Sequence, residues 1–224
     1  EAYMKYVSKA LLILIGFVAL VFAGCGTEAD LRLNPDATFP IEVTEEAPAF
    51  LFPISLHIGA SNNDEIGLAI TGFVINEFGA TVISGQQLYD LVGNLSWSLG
   101  ETIRRKADDG EWVLDGYAAD IAADLSQVME VILGALSELG LIPEGFSFKY
   151  IIVLHADSEG SAMPGMLSFR AFGGMYEVET GKILSYTSTS VTVADVAETL
   201  LAQVPQAFNV IINDLINGDA EVVE

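Results

Sequence analysis

Basic residues, histidine and cysteine are what this chain of 224 residues has least of: nine Lys and Arg stand against 31 Asp and Glu, with two His and one Cys. The single cysteine excludes an internal disulfide and any multi-cysteine zinc site. The charge imbalance, −22 overall, makes nucleic acid a poor partner, because binding it depends on Lys and Arg displacing counterions from phosphates. Anionic lipid headgroups are repelled for the same reason, so any membrane contact has to be apolar or covalent. Also missing are a Gly-x-Ser-x-Gly elbow, a Walker A loop and a Gly-x-Gly-x-x-Gly turn. What is present is apolar: 51% of the residues, arranged in periodic runs that belong to a folded chain and not to a disordered one.

The most informative segment comes first. A short basic start, Met4 to Lys9, precedes a 14-residue apolar run from Ala10 to Ala23. As a helix that run spans about 21 Å, short of the roughly 30 Å hydrocarbon core of a bilayer. Basic start, short apolar run and small residues at the end describe an export signal over residues 1–24. Phe22, Ala23, Gly24 and Cys25 resemble the bacterial lipobox, with Phe22 where Leu is usual. The resemblance implies cleavage before Cys25 and a diacylglycerol thioether plus an N-acyl chain on that residue, enough acyl chains for stable anchoring. Gly26 stands where Asp retains lipoproteins of enteric bacteria in the inner membrane, so the analogy favours the outer membrane. Two basic residues and one acidic residue precede Cys25, leaving seven basic and 30 acidic residues, a formal charge of −23, beyond the cut.

Residues 25–48 contain Pro35, Pro40 and Pro48 with scattered acids, and read as an extended polar tether. One domain is expected over residues 49–218, followed by an acidic tail at 219–224. Ala49 to Ile58 is a strand whose Pro53 marks an edge or a bulge. A helix from Asp64 to Phe78 and a short strand from Thr81 to Ser84 follow. A helix over residues 86–106 gathers Leu88, Leu91, Val92, Leu95, Leu99 and Ile103 on one face. A second amphipathic helix runs from Tyr117 to Leu139 with Asp115 as cap. Phe148 to Ala156 is an apolar central strand. Met166 to Val178 and Lys182 to Val193 form a hairpin around Glu179-Thr180-Gly181. A last helix, Asp195 to Asn217, is kinked or divided at Pro205 and stopped by Gly218. The order β-α-β-α-α-β-β-β-α defines an α/β fold, a mixed sheet packed with helices.

Few groups offer chemistry. His155, Asp157, Ser158 and Ser161 fall within seven residues, but triads assemble from distant segments, and a histidine at a strand end is more simply a solvated strand end. His155, Asp157 and Glu159 share one side of an extended chain, a spacing that a metal would accept, yet with 30 acids such clusters arise by chance. No catalytic residue, metal site or cofactor is expected. Trp97 has two readings: an exposed anchor for a partner, or an indole covered by helix 117–139, which Gly93 and Gly100 would let approach.

The block YIIVLHADSEG from Tyr150, the turn Glu179-Thr180-Gly181-Lys182 between strands, and the closing helix resemble periplasmic lipoproteins of the CsgG and LpoB type, related in fold to the N-terminal domain of TolB. The resemblance implies a non-enzymatic role: an accessory or scaffold lipoprotein of an envelope assembly, secretion or cell-wall machine, with an envelope protein partner or as a homo-oligomer. It departs from pore formers in having two helices where long membrane hairpins would lie. The alternative is a carrier or sensor of a small apolar ligand held between sheet and helices.

Overall fold

Alternation in the stretch Tyr150–Ser158 explains the architecture. Tyr150, Ile152, Leu154 and Ala156 enter one apolar cluster, while Ile151 and Val153 enter another. Successive side chains of a strand point to opposite faces, so a strand apolar at both parities is covered on both sides. The computed structural model describes residues 30–60, 63–79, 82–86, 89–114, 129–140, 142, 146–160 and 163–219, with the backbone alone at 89–92 and 94. It contains strands β1 (Asp30–Leu33), β2 (Ala49–Leu51), β3 (Ser55–His57), β4 (Val82–Ser84), β5 (Tyr150–Ser158), β6 (Met166–Glu177) and β7 (Lys182–Ala194). The helices are α1 (Asn63–Phe78), α2 (Tyr89–Asp108), α3 (129–138) and α4 (Ala197–Asn217).

The sheet is mixed, in the order β1-β7-β6-β5-β2-β4, with β3 also paired to β5. The β2, β3 and β4 pairings are parallel, and those of β1, β6 and β7 antiparallel. Helices α1 and α4 cover one face, α1 over β3 and β4 and α4 over β6 and β7, where Ile66, Ile70, Val74, Leu200, Val204, Phe208 and Ile211 join one apolar cluster. Helices α2 and α3 cover the other through Leu99, Ile103, Ile132 and Leu136. The expected α/β class and element order are therefore present. Helix α4 runs through Pro205 as a single helix and ends at Gly218, whose φ of 74° is the left-handed conformation of a glycine cap. Asp115, Ile121, Leu125 and Val128, expected in the second amphipathic helix, lie outside the described residues, as do residues 220–224 of the tail.

Pro53 sits in a bulge. Leu51 is opposite Ile152 and Ser55 opposite His155, so the chain takes four steps where β5 takes three. One extra residue inverts the side-chain alternation. Leu51 and Ile54 both face the α1–α4 side, and Ser55 and His57 are turned toward α2 in consequence. Side chains take the backbone groups that the bulge frees: Gln86 Oε1 accepts from Ile54 N at 2.9 Å, and Ser96 Oγ donates to Pro53 O at 2.7 Å.

The tether expected over 25–48 is corrected from Asp30 onward. Asp30–Leu33 is the edge strand beside β7, and Ile41 is buried. Asn34 N donates to Leu184 O at 2.9 Å, its Nδ2 to Ile183 O at 2.8 Å, and Ile41 N to Ile216 O at 2.7 Å. Phe39 packs so closely on Gly218 that a Cβ there would lie 2.7 Å from its ring. The three prolines obscured a segment whose hydrogen bonds go to β7 and α4, partners more than 140 residues away.

Candidate functional site

The bulge, α2 and the middle of β5 and β6 bring together the polar and aromatic groups that chemistry could use. His155 is opposite Ser55 on β3 and Phe172 on β6, all facing α2. Its ring stacks on Phe172 at 4.6 Å and 18°. Trp97 packs edge-on against it at 4.9 Å and reaches His57 at 4.4 Å on its other side. His155 Nε2 lies 3.2 Å from Glu101 Oε1, and Arg104 Nη2 lies 2.5 Å from Glu101 Oε2, its guanidinium 5.6 Å above the Phe172 ring. This geometry assigns the imidazole proton to Nε2, donating to Glu101. The His155 and Arg104 hydrogen bonds hold the Glu101 carboxyl at about 2, below its ordinary 4.5, against the opposing effect of burial. Glu101 in turn raises Arg104. Burial pushes the Tyr176 and Tyr186 hydroxyls up as well.

Gly100 seals the remaining nitrogen. A Cβ at that position would fall 2.4 Å from His155 Nδ1, so the helix backbone sits directly on the ring. Nδ1 has no hydrogen-bond partner, and the side chain is 1% exposed. With Nε2 committed to Glu101 and Nδ1 covered by helix, His155 reaches neither solvent nor substrate in this arrangement. Its chemistry is that of a joint between α2 and the sheet. Trp97 is partly exposed and its ring partners are two histidines of the sheet face, while residues 117–128 of the helix expected over it lie outside the described residues. Gly100 serves the approach to the sheet, and Gly93 is buried on the same helix.

The His155, Asp157 and Ser158 grouping is not assembled as a triad. Ser158 alternates to the opposite side of β5 from the other two, and its Oγ accepts from Gly160 N at 3.2 Å. Ser161 lies outside the described residues. Glu159 turns to Ser190 Oγ at 3.2 Å and Arg170 Nε at 3.7 Å, away from His155. Among the described residues no group of three or more His, Cys, Asp and Glu side chains is close enough to hold a metal. Cys25 and the preceding Phe22, Ala23 and Gly24 also lie outside the described residues. No helix among the described residues is long and apolar enough to cross a membrane.

Two surface features were not foreseen. A groove of about 370 Å³ opens at the end of the sheet where β5 begins, lined by Asn34, Asp36, Glu42, Lys149, Glu177 and Lys182 among others. It exists because the 34–42 segment folds back over that end, so no local pattern could announce it. Helix α1 carries apolar side chains beyond its buried face: Ile66, Ile70 and Val74 are buried, while Leu68, Phe73 and Ile75 are 61%, 40% and 42% exposed. That second feature was legible, since at helical spacing Leu68 and Ile75 fall on the side of the helix opposite Ile66. Side chains of the two core clusters lie between the sheet and the helices, where an apolar ligand was the alternative expectation.

No family model matches the chain, and no curated protein matches it. Among solved structures, a PelC dodecamer from Paraburkholderia phytofirmans is 9% identical with a TM-score of 0.36, aligning 80% of this chain and 89% of that one. The lipoprotein GNA1162 from Neisseria meningitidis is 16% identical with a TM-score of 0.36, over 75% of this chain and 99% of that one. The hypothetical protein CT253 from Chlamydia trachomatis is 6% identical with a TM-score of 0.37, over 77% and 99%. At these identities and scores the likeness assigns this chain neither a family nor a role.

Proposed function

We propose that this chain is a lipid-anchored protein of a bacterial envelope, more specifically of the outer membrane, whose domain is a non-enzymatic accessory or scaffold component working through protein–protein contacts. The observation that carries the anchoring is the position of the only cysteine, Cys25, directly after Phe22-Ala23-Gly24 and the 14-residue apolar run. The contact role is supported by Leu68, Phe73 and Ile75 on the exterior of α1, apolar area that a partner would remove from water. The occupant we favour is a different envelope protein, because two copies of a chain carrying −23 from Cys25 onward repel each other.

The test has two arms. Cys25→Ser should leave the protein without acyl mass and release it from membranes; retention of both in the variant defeats the anchoring. For the contact, a photo-crosslinker at Ile75 in living cells should yield one adduct, lost in Leu68→Asp, whose partner binds the purified chain on reconstitution. Adducts that are absent, indifferent to Leu68→Asp, or formed with a second copy of this chain count against the proposed partner.

A further inference from the structure

We propose that the tip of the β6–β7 ladder, bearing Met163 and Val196, rests in the headgroup region of the membrane that holds Cys25. This inference depends on the anchoring proposed above and adds the orientation of the domain. From Cys25 to Asp30 there are five residue steps, so the chain between them reaches at most about 17 Å. Asp30 lies opposite Ser188, six residues short of Ala194 at the end of β7. Those six residues rise about 20 Å along the strand. Chain direction fixes which end matters: β1 is antiparallel to β7, so the Asp30 end of β1 points toward Ala194. Even fully extended, the segment brings Cys25 no further than the level of the tip. A bilayer that receives its acyl chains therefore passes within about 17 Å of Asp30, and the tip and the β1 edge are the two parts of the ladder that lie nearest to it.

The tip is a single unit. Met166 is opposite Ala194, Asp195 N donates to Gly165 O at 2.9 Å, and Met166 N to Met163 O at 3.2 Å. It presents Met163 and Val196 at 58% and 55% exposure. The β1 edge instead presents charge: Arg32 pairs with Asp30 at 3.1 Å and with Asp108 at 3.5 Å. Laying the domain on that edge would dehydrate ion pairs, whereas laying it on the tip removes apolar surface from water. Glu159, Asp195 and Glu198 near the tip exclude an anionic surface, so the matching lipid is zwitterionic. The polar groove at Lys149 and Lys182 then lies at the opposite end of the strands, away from the bilayer.

The acylated protein, reconstituted in phosphatidylcholine vesicles, would carry a fluorophore on Met163→Cys, Val196→Cys, Val178→Cys or Arg32→Cys, each the only free thiol because Cys25 is blocked by its lipid. Quenchers attached near the lipid headgroup should lower emission at 163 and 196 about twofold or more and leave 178 and 32 unchanged. A flexible Gly-Ser insert of about 20 residues between Ala29 and Asp30 should abolish quenching at 163 while the acyl mass stays. Equal quenching at 163 and 178, quenching at 32 without 163, or quenching that survives the insert overturns the orientation alone. Absence of acyl mass on the Cys25 peptide overturns the anchoring, and this inference with it.

Discussion

Glu101 Oε1 accepts the Nε2 proton of His155 at 3.2 Å from a helix, across the interface to a strand 54 residues later in the chain. One carboxylate thereby ties α2, through His155, to the centre of the sheet and holds Arg104 over Phe172.

Replacing that carboxylate should have a pH signature. Because the folded-state value of Glu101 is about 2 and its ordinary value 4.5, its stabilisation is present above pH 4.5 and lost as pH falls toward 2. Glu101→Gln should cost about 1 kcal/mol at pH 7, at the lower end for a charged hydrogen bond because the side chain is 29% exposed. Urea melts of both proteins should show the gap closing between about pH 4.5 and about pH 2. A gap constant with pH would contradict the assigned network.

Gly173 and Gly174 alternate to opposite faces of β6 and let both helical layers close in. A Cβ at 173 would meet Ile211 Cγ2 at 2.4 Å, and one at 174 would meet Ile103 Cγ2 at 2.7 Å. Gly174→Ala should destabilise by about 1–3 kcal/mol through overpacking. Combined with Ile103→Ala the two effects should fall short of additivity, since the second change empties the space that the first needs. Additive thermal melts would show that the two sites do not touch.

The segment read as a tether should behave as part of the domain. Asn34 is buried, gives Nδ2 to Ile183 O and takes Asp36 N on Oδ1 at 2.9 Å. Asn34→Ala leaves two backbone groups without their partner and should cost about 1–3 kcal/mol. Limited proteolysis should then cut within residues 34–48 several times faster than in the native chain. Rapid cutting of the native chain there would restore the tether.

Ser96 tests the bulge. Its hydroxyl satisfies Pro53 O, buried against α2, so Ser96→Ala should cost about 1–3 kcal/mol. Hydrogen exchange at Ile54, whose N–H is held by Gln86, should quicken with it. Unchanged protection at Ile54 would mean that the bulge is held by other contacts.

Much of the fold was legible because it is written in local periodicity. The apolar stretch Phe148 to Ala156 announced a central strand, found at Tyr150–Ser158, and Thr180-Gly181 announced the β6–β7 turn. Pro53 was readable as an edge or bulge, but not as the switch that turns His57 toward Trp97. Asp30–Leu33 was missed: four residues carry too little pattern to outweigh Pro35 and Pro40 nearby.

What the sequence determined by itself is the position of Cys25 directly after Phe22-Ala23-Gly24, on which the proposed attachment rests, and the net charge. That motif is a contiguous string, legible without a fold, and net charge is a sum that no fold alters. Tertiary structure alone decided that both nitrogens of His155 are engaged or covered, that Trp97 lies between two histidines, and that Asp30 already belongs to the sheet. Each of these depends on register and close approach between segments far apart in the chain, and a one-residue bulge at Pro53 is enough to change which side chains meet.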